Sequence, residues 1–341
     1  MELVVARAPF RVSFAGGGTD LPGFYEADYG AVVSTAIDKY VYVIVKGREE
    51  PFGRGIDDPF KYRIRLSYSS TENVQHRWEL QHPIVRGALE LLDIDEPMDI
   101  ATMADVPSGT GLGSSGTFAV ALLRALHSFG GEAAPPEQIA AEAAHIEIDM
   151  IGRPVGKQDH YAAAVGGMNE IRFLPGGDVA VQPVRNAQTV ANELFPSLLL
   201  LYTGTSRDAA AILSEQQSHI AETRVDLEAI RGHAEQLSKL FENGWSAKEF
   251  GDVLHRSWML KRRLASSISN SAIDSWYEGA LKAGALGGKV CGAGGGGFLL
   301  LVAEPDRREA ILSACSELTE MPIGYEPKGV TLLSAGAVAE A

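Results

Sequence analysis

Apolar residues along the chain recur with two different periods. Met98-Asp-Ile-Ala-Thr-Met-Ala104 alternates as a strand does, and beyond a Gly/Ser-rich stretch Phe118, Leu122, Leu126 and Phe129 recur at helical spacing. Strands are also predicted over 2–6, 8–15, 62–68, 168–174 and 179–184. Ala31 to Val45 reads as one long or two short strands, and Phe195 to Tyr202 as a buried strand. Helices are predicted over 84–92, 117–129, 136–150 and 159–165. A long amphipathic helix then carries Ile212, Ile220, Leu227 and Ile230 on one face. Further helices are expected at 233–243, 247–265, 271–284 and 305–318, and a strand over 331–335 is expected to complete a second layer. Residues 49–60, rich in Pro, Gly and Asp, read as a loop. The pattern is α+β, with a boundary near 185–195 that divides the chain into 1–187 and 188–341.

Composition narrows the class. The chain has 341 residues, enough for two domains, and a formal net charge of −14. That charge argues against nucleic acid or an anionic membrane as the main partner. No apolar run is long enough to span a bilayer, and Arg7 and Arg11 interrupt the N-terminal apolar stretch, so a cytoplasmic protein is expected. Cys291 and Cys315 read as reduced, buried thiols. Lys261-Arg-Arg263 reads as a solvated helix face.

The chemistry-bearing stretch is Asp105-Val-Pro-Ser-Gly-Thr-Gly-Leu-Gly-Ser-Ser-Gly-Thr117. Strand, glycine loop and helix in succession form an anion site: glycines admit a phosphate close to the backbone, and the helix start presents unpaired N–H groups and a positive dipole end. The stretch contains no lysine, which excludes a Walker A loop. Gly111-x-Gly113-x-x-Gly116 and Gly292-x-Gly294-x-x-Gly297 both satisfy the dinucleotide fingerprint. The first is followed by a second helix and the second runs into a strand, so neither has the βαβ context that fingerprint requires.

Three motifs in order resemble the GHMP kinases, the small-molecule kinases named after galactokinase, homoserine kinase, mevalonate kinase and phosphomevalonate kinase. They are Arg7-Ala-Pro-Phe-Arg-Val-Ser-Phe-Ala-Gly-Gly-Gly-Thr-Asp20, the loop above, and Lys289-Val-Cys-Gly-Ala-Gly-Gly-Gly-Gly-Phe298. The resemblance implies the two-domain fold of that family, with an N-terminal ribosomal-S5-like ATP-binding domain and a C-terminal ferredoxin-like domain. It also implies ATP and Mg²⁺ as cofactors. Pro107, Ser108, Gly109, Thr110, Gly111, Leu112, Gly113, Ser114, Ser115 and Gly116 would cradle the triphosphate, and Ser67 to Glu72 lies where such kinases wall the adenine. Ser115 and Glu147 would hold the metal, Asp159 would take the acceptor's hydroxyl proton, and Arg11 would offset charge on the transferred group. Asp20 with Gly17, Gly18 and Thr19 would face the acceptor, together with Gly294 and Gly295. Galactokinases carry a Glu-His pair where this chain has Gly17-Gly18, which argues against galactose.

Phe14-Ala-Gly-Gly-Gly-Thr-Asp-Leu-Pro22, Gly156-Lys-Gln-Asp-His-Tyr-Ala162 and Tyr202-Thr-Gly-Thr-Ser-Arg207 resemble the D-glycero-D-manno-heptose-7-phosphate kinase subfamily. This implies transfer to an anomeric hydroxyl, giving a 1,7-bisphosphate. A substrate that already bears a phosphate needs a second cationic pocket, for which Lys157, Arg207 and Arg153 are candidates. A kinase of an unphosphorylated sugar, fucose- or galactose-like, and a non-catalytic sugar and ATP sensor stay open as alternatives. Small-molecule partners are expected, with a homodimer left open.

Overall fold

A computed structural model describes residues 2–48, 62–205 and 209–337. Its larger sheet contains β1 (Glu2–Ala15), β2 (Gly30–Gly47), β3 (Ile64–Ser67), β4 (Thr71–Val74), β5 (Met98–Ala104), β6 (Met168–Phe173) and β7 (Val179–Pro183). The smaller contains β8 (Leu198–Tyr202), β9 (Gly287–Val290), β10 (Phe298–Val302) and β11 (Thr319–Glu320), in the order β11-β8-β10-β9. The last strand, β12 (Thr331–Ala337), pairs antiparallel with β1. The expectation that this strand completes the second layer is therefore corrected: the chain returns to the first sheet and covers what would otherwise be the open edge of β1.

The larger sheet runs β12-β1-β2-β5-β3-β4, and β6 and β7 branch from β2. β2 is one long strand that serves two neighbours. Gly30 to Thr35 pair with β6, and Val41 to Gly47 pair with β5. β1 likewise joins the two strands predicted at the N-terminus. Its register against β2 shifts between Pro9 and Arg11, where proline cannot donate to the ladder.

The helices are α1 (Pro22–Tyr25), α2 (Pro83–Leu91), α3 (Ser114–Phe129), α4 (Pro136–His145), α5 (Gln158–Val165), α6 (Ala187–Leu194), α7 (Ala209–Ser218), α8 (Ile220–Asn243), α9 (Ala247–Lys261), α10 (Ser271–Lys282) and α11 (Arg308–Ala314). α3 packs on β1, β2 and α5, and nearly every residue from Gly116 to His127 is buried. Its Ala- and Leu-rich sequence suits a helix covered on all sides.

α6 lies in the segment 185–195 where the domain boundary is expected. Two local expectations are corrected. The amphipathic stretch after 208 breaks at His219 rather than near 232, where His219 N–H donates to Gln216 O in a tightened turn. α9 ends at Lys261, earlier than 265, in a turn closed by Leu264 N–H to Lys261 O. Ile212, Ile220, Leu227 and Ile230 are buried together, as their spacing predicts, in a second core with Trp258, Tyr277, Leu199 and Leu299. Cys291 and Cys315 are buried and unbonded to each other.

Candidate active site

The glycine loop leaves β5 and enters α3. Gly109, Gly111 and Gly113 have φ of +74°, +86° and +84°, a region other residues enter only under strain. A Cβ on Gly111 would lie 2.4 Å from the Cys291 carbonyl oxygen, and one on Gly297 would lie 2.2 Å from that of Thr110. The loop and the third glycine run are thus packed backbone on backbone. The first helical hydrogen bond, Thr117 N–H to Gly113 O, leaves the N–H groups of the first turn without helical acceptors.

Pro107, Ser108, Gly109, Gly111, Gly113, Ser114 and Ser115 line a cavity of about 900 Å³. That volume suits two small-molecule substrates. The other three loop residues turn away from it. Thr110 Oγ1 donates to Pro107 O at 2.9 Å, Leu112 joins the core, and a Cβ on Gly116 would lie 2.9 Å from Asp159 Cβ.

Arg11 and Asp159 meet on the wall of this cavity. Arg11 is buried; its Nε donates to Asp159 Oδ1 at 2.7 Å, and its Nη1 donates to Gly111 O at 2.8 Å. One planar guanidinium therefore joins the carboxylate to the glycine loop. Asp159 stands in the first turn of α5, where the dipole favours a carboxylate. Gly113 and Gly116 leave room for it: a Cβ on Gly113 would lie 3.1 Å from Asp159 Cγ.

Asp20 lies across the same cavity. It accepts from Gly18 N–H at 2.9 Å and from Gln158 Nε2 at 2.9 Å. A Cβ on Gly156 would stand 1.9 Å from Asp20 Oδ2, so glycine is required there. Burial and then the Asp159 charge raise the Asp20 carboxyl above its ordinary value. Thr19 holds the turn, with Oγ1 donating to Gly16 O at 2.8 Å, and does not reach the cavity. Gly18 lines it. Gly17 lies beside it, its Cβ position 3.5 Å from Lys261 Nζ. Gly295 N–H donates to Ile268 O, and Gly294 packs on the same residue; Gly292 and Ala293 reach the cavity in their place.

Glu147 sits in a π-helical turn, Ile146–Met150, and is fully buried. Its Oε2 accepts from Arg153 Nη1 at 2.9 Å, and its Oε1 lies 3.2 Å from His160 Nε2. Burial pushes this carboxyl up, but the His160 hydrogen bond and the Arg153 charge outweigh it, and the net direction is down. Glu147 does not line the cavity, whereas Arg153 and Ser115 do. Tyr68, His82 and Phe118, also on the lining, form an aromatic cluster, with ring centroids 5.0 Å apart for Tyr68 and His82 and 5.2 Å for His82 and Phe118.

The candidate cations fall in different places. Lys157 Nζ donates to Gly177 O at 2.7 Å, and Lys157 is not among the cavity residues. Arg153 reaches the cavity but is paired with Glu147. Arg207 lies outside the described residues. Lys261, expected on a solvated face, is buried at 6% exposure and lines the cavity. Its neighbours do keep to the surface, where Arg262 pairs with Asp274 and Arg263 with Asp226. A triplet of like charges gives no sign of which member the end of a helix buries. Gln158 and Gln216 also line the cavity. Gln158 adjoins Asp159 in the motif. Gln216, which is buried with Nε2 lacking a partner among the described residues, carries no local signal.

Two family models and several known proteins match the chain. The family model for the GHMP kinases N terminal domain matches residues 83–167, and that for the GHMP kinases C terminal domain matches residues 239–319. The D-glycero-alpha-D-manno-heptose 7-phosphate kinase of Campylobacter jejuni is 29% identical over 92% of this chain and 93% of its own. A galactokinase of Pyrococcus furiosus is 24% identical over 91% of this chain and 92% of its own. Among solved structures, a D-glycero-D-manno-heptose 1-phosphate kinase from Bacteroides thetaiotaomicron superposes with a TM-score of 0.78 at 24% identity, covering 98% of this chain and 100% of that one.

Proposed function

The chain belongs to the GHMP kinases, and from that premise we propose that it transfers the γ-phosphoryl group of ATP to the anomeric hydroxyl of a sugar phosphate, D-glycero-D-manno-heptose 7-phosphate being the best-supported acceptor. The observation that carries the reading is the Arg11–Asp159 pair, tied to the glycine loop through Gly111 and set in the same cavity as Asp20. The acceptor rests on the heptose 7-phosphate kinase relative, whose likeness spans nearly the whole chain.

In this reading the loop 107–116 holds the triphosphate on its N–H groups, and Tyr68, His82 and Phe118 receive the base. Asp20, oriented by Gln158, accepts hydrogen bonds from acceptor hydroxyls. The acceptor oxygen forms a bond to the γ-phosphorus while the bond from that phosphorus to the β,γ-bridging oxygen breaks, leaving its electron pair on ADP. The hydroxyl proton passes to Asp159, and Arg11 beside it offsets charge on the transferred group.

For a hard dication Ser115 offers a hydroxyl on the cavity, whereas Glu147, a carboxylate kept ionised by its partners, lies off the lining and would have to be released by Arg153 to serve as a ligand. Ser115 and Glu147 would hold Mg²⁺, which when bound would supply positive charge to offset that of the phosphates.

One observation favours a neutral acceptor instead. Lys157 and Arg153 are both engaged elsewhere in the protein, so the second phosphate pocket lacks an uncommitted cation of the expected set among the described residues. A coupled ADP-release assay with Mg-ATP against heptose 7-phosphate, free heptose and fucose separates the two. Turnover confined to the heptose phosphate supports the proposal, and turnover of the neutral sugars overturns the acceptor assignment.

A further inference from the structure

Lys261 is the last residue of α9, and its ammonium is buried inside the cavity that holds Arg11, Asp20, Gln158 and Asp159. Nζ donates to Gly292 O at 2.5 Å. No carboxylate lies within ion-pair distance of it among the described residues, so an ammonium with three donors uses one of them on the protein. A buried cation without an ion-pair partner is unfavourable in a folded chain. Among the described residues, the other cations near the reacting groups are committed: Arg11 to Asp159 and Gly111 O, Arg153 to Glu147, and Lys289 to Ser13 O at 2.7 Å, away from the cavity lining. Two flanking polar atoms, Ser13 Oγ and Gln158 Oε1, are buried without partners among the described residues.

From this placement we propose that Lys261 is a cation of the phosphoryl-transfer site, donating hydrogen bonds to oxygens of the group in flight between ATP and the acceptor. The inference deepens the kinase reading and rests on it. Lys261 keeps its proton throughout. It stabilises charge on the phosphoryl oxygens while the bond to the acceptor oxygen forms and the bond to the ADP oxygen breaks, and Asp159 takes the hydroxyl proton. The missing Cβ of Gly17 keeps the space beside Nζ open. The charged and titratable groups that face Nζ are Asp20 and Arg11 from the N-terminal motif, Asp159 from α5, and Lys289 and Cys291 from the third motif. Burial lowers the Lys261 ammonium to about 8, where loss of its proton falls inside an accessible pH range.

The test compares the full chain with Lys261→Met and Lys261→Arg, using Mg-ATP and the acceptor the wild type turns over best. Nucleotide affinity is read separately by titration with a non-hydrolysable ATP analogue. The expected result is a loss of about 100-fold in kcat for Lys261→Met with nucleotide affinity unchanged. The alkaline limb of the wild-type kcat profile should also move to higher pH in Lys261→Arg. Lys261→Met with near-wild-type kcat overturns the inference. So does a parallel loss of thermal stability and nucleotide affinity in both variants, which would make the bond to Gly292 merely structural. Should Lys261→Met fail to fold, an alkaline limb that stays in place in Lys261→Arg overturns it equally. A wild type that turns over no acceptor removes the kinase reading itself, whereas wild-type turnover indifferent to Lys261 removes this inference alone.

Discussion

Arg11 Nε donates to Asp159 Oδ1 at 2.7 Å across 148 residues of chain, and Nη1 of the same guanidinium donates to Gly111 O. A fork that meets a carboxylate and a backbone carbonyl together has no equivalent in lysine. Arg11→Lys keeps the charge and loses one of the two contacts, so kcat is expected to fall while nucleotide affinity changes little. Asp159→Asn should lower kcat by about 10²–10⁴-fold, the range of a lost general base, with analogue binding retained. Steady-state rates set against calorimetric binding check both.

Arg153 occupies an oxygen of Glu147 that a metal would use. In Arg153→Gln the carboxylate loses its cationic competitor, and the Mg²⁺ concentration needed for half-maximal ADP binding should fall several-fold. Calorimetric titration of Mg²⁺ at fixed ADP reads this without turnover. A rise instead would show that Arg153 itself binds the nucleotide.

Gly111 is constrained twice, by a φ of +86° and by the Cys291 carbonyl 2.4 Å from its Cβ position. Gly111→Ala should cost about 1–2 kcal/mol from the left-handed conformation alone, and more from the clash. Tm falls, and activity falls further than Tm implies, because the loop shifts with the wall it packs on. Gly131, which has a positive φ but no neighbour within 4 Å, is the control: Gly131→Ala carries the conformational term only.

Lys289 and Lys261 are buried beside each other. Burial, and for Lys289 the neighbouring ammonium as well, lower them to about 7 and about 8. Between those values and the ordinary lysine value the unfolded chain binds more protons than the folded one, so stability rises with pH. The gain begins near pH 7 and is complete only above the unfolded lysine value. Chemical denaturation at pH 6.5, 8 and 9 should show that rise in the wild type and a shallower one in Lys289→Met.

Gln216 presents an amide nitrogen with no partner among the described residues beside Gly18, where a Cβ would approach it to 2.3 Å. Gln216→Met preserves its bulk and removes the donor. KM for the acceptor should rise about 10-fold, with KM for ATP unchanged, in line with one lost hydrogen bond in a buried site.

The sequence by itself determined the local elements and the loops that join them. Alternation in 98–104, the glycine stretch and the apolar repeat of α3 form one continuous signal, because strand pleat, positive φ and helical period are all properties of neighbouring residues. Asp159 and Arg11 were legible for the same reason, as members of contiguous motifs. Long-range pairing was not. The return of β12 to β1 depends on which sheet edge is left open, and Lys261 reads as one of three surface cations until α9 turns its end into the cavity. Lys157 is the opposite case: it sits within a motif, yet its side chain reaches Gly177. Sequence period fixes which face of an element is apolar, but only tertiary packing decides what that face meets and which charges burial places against one another.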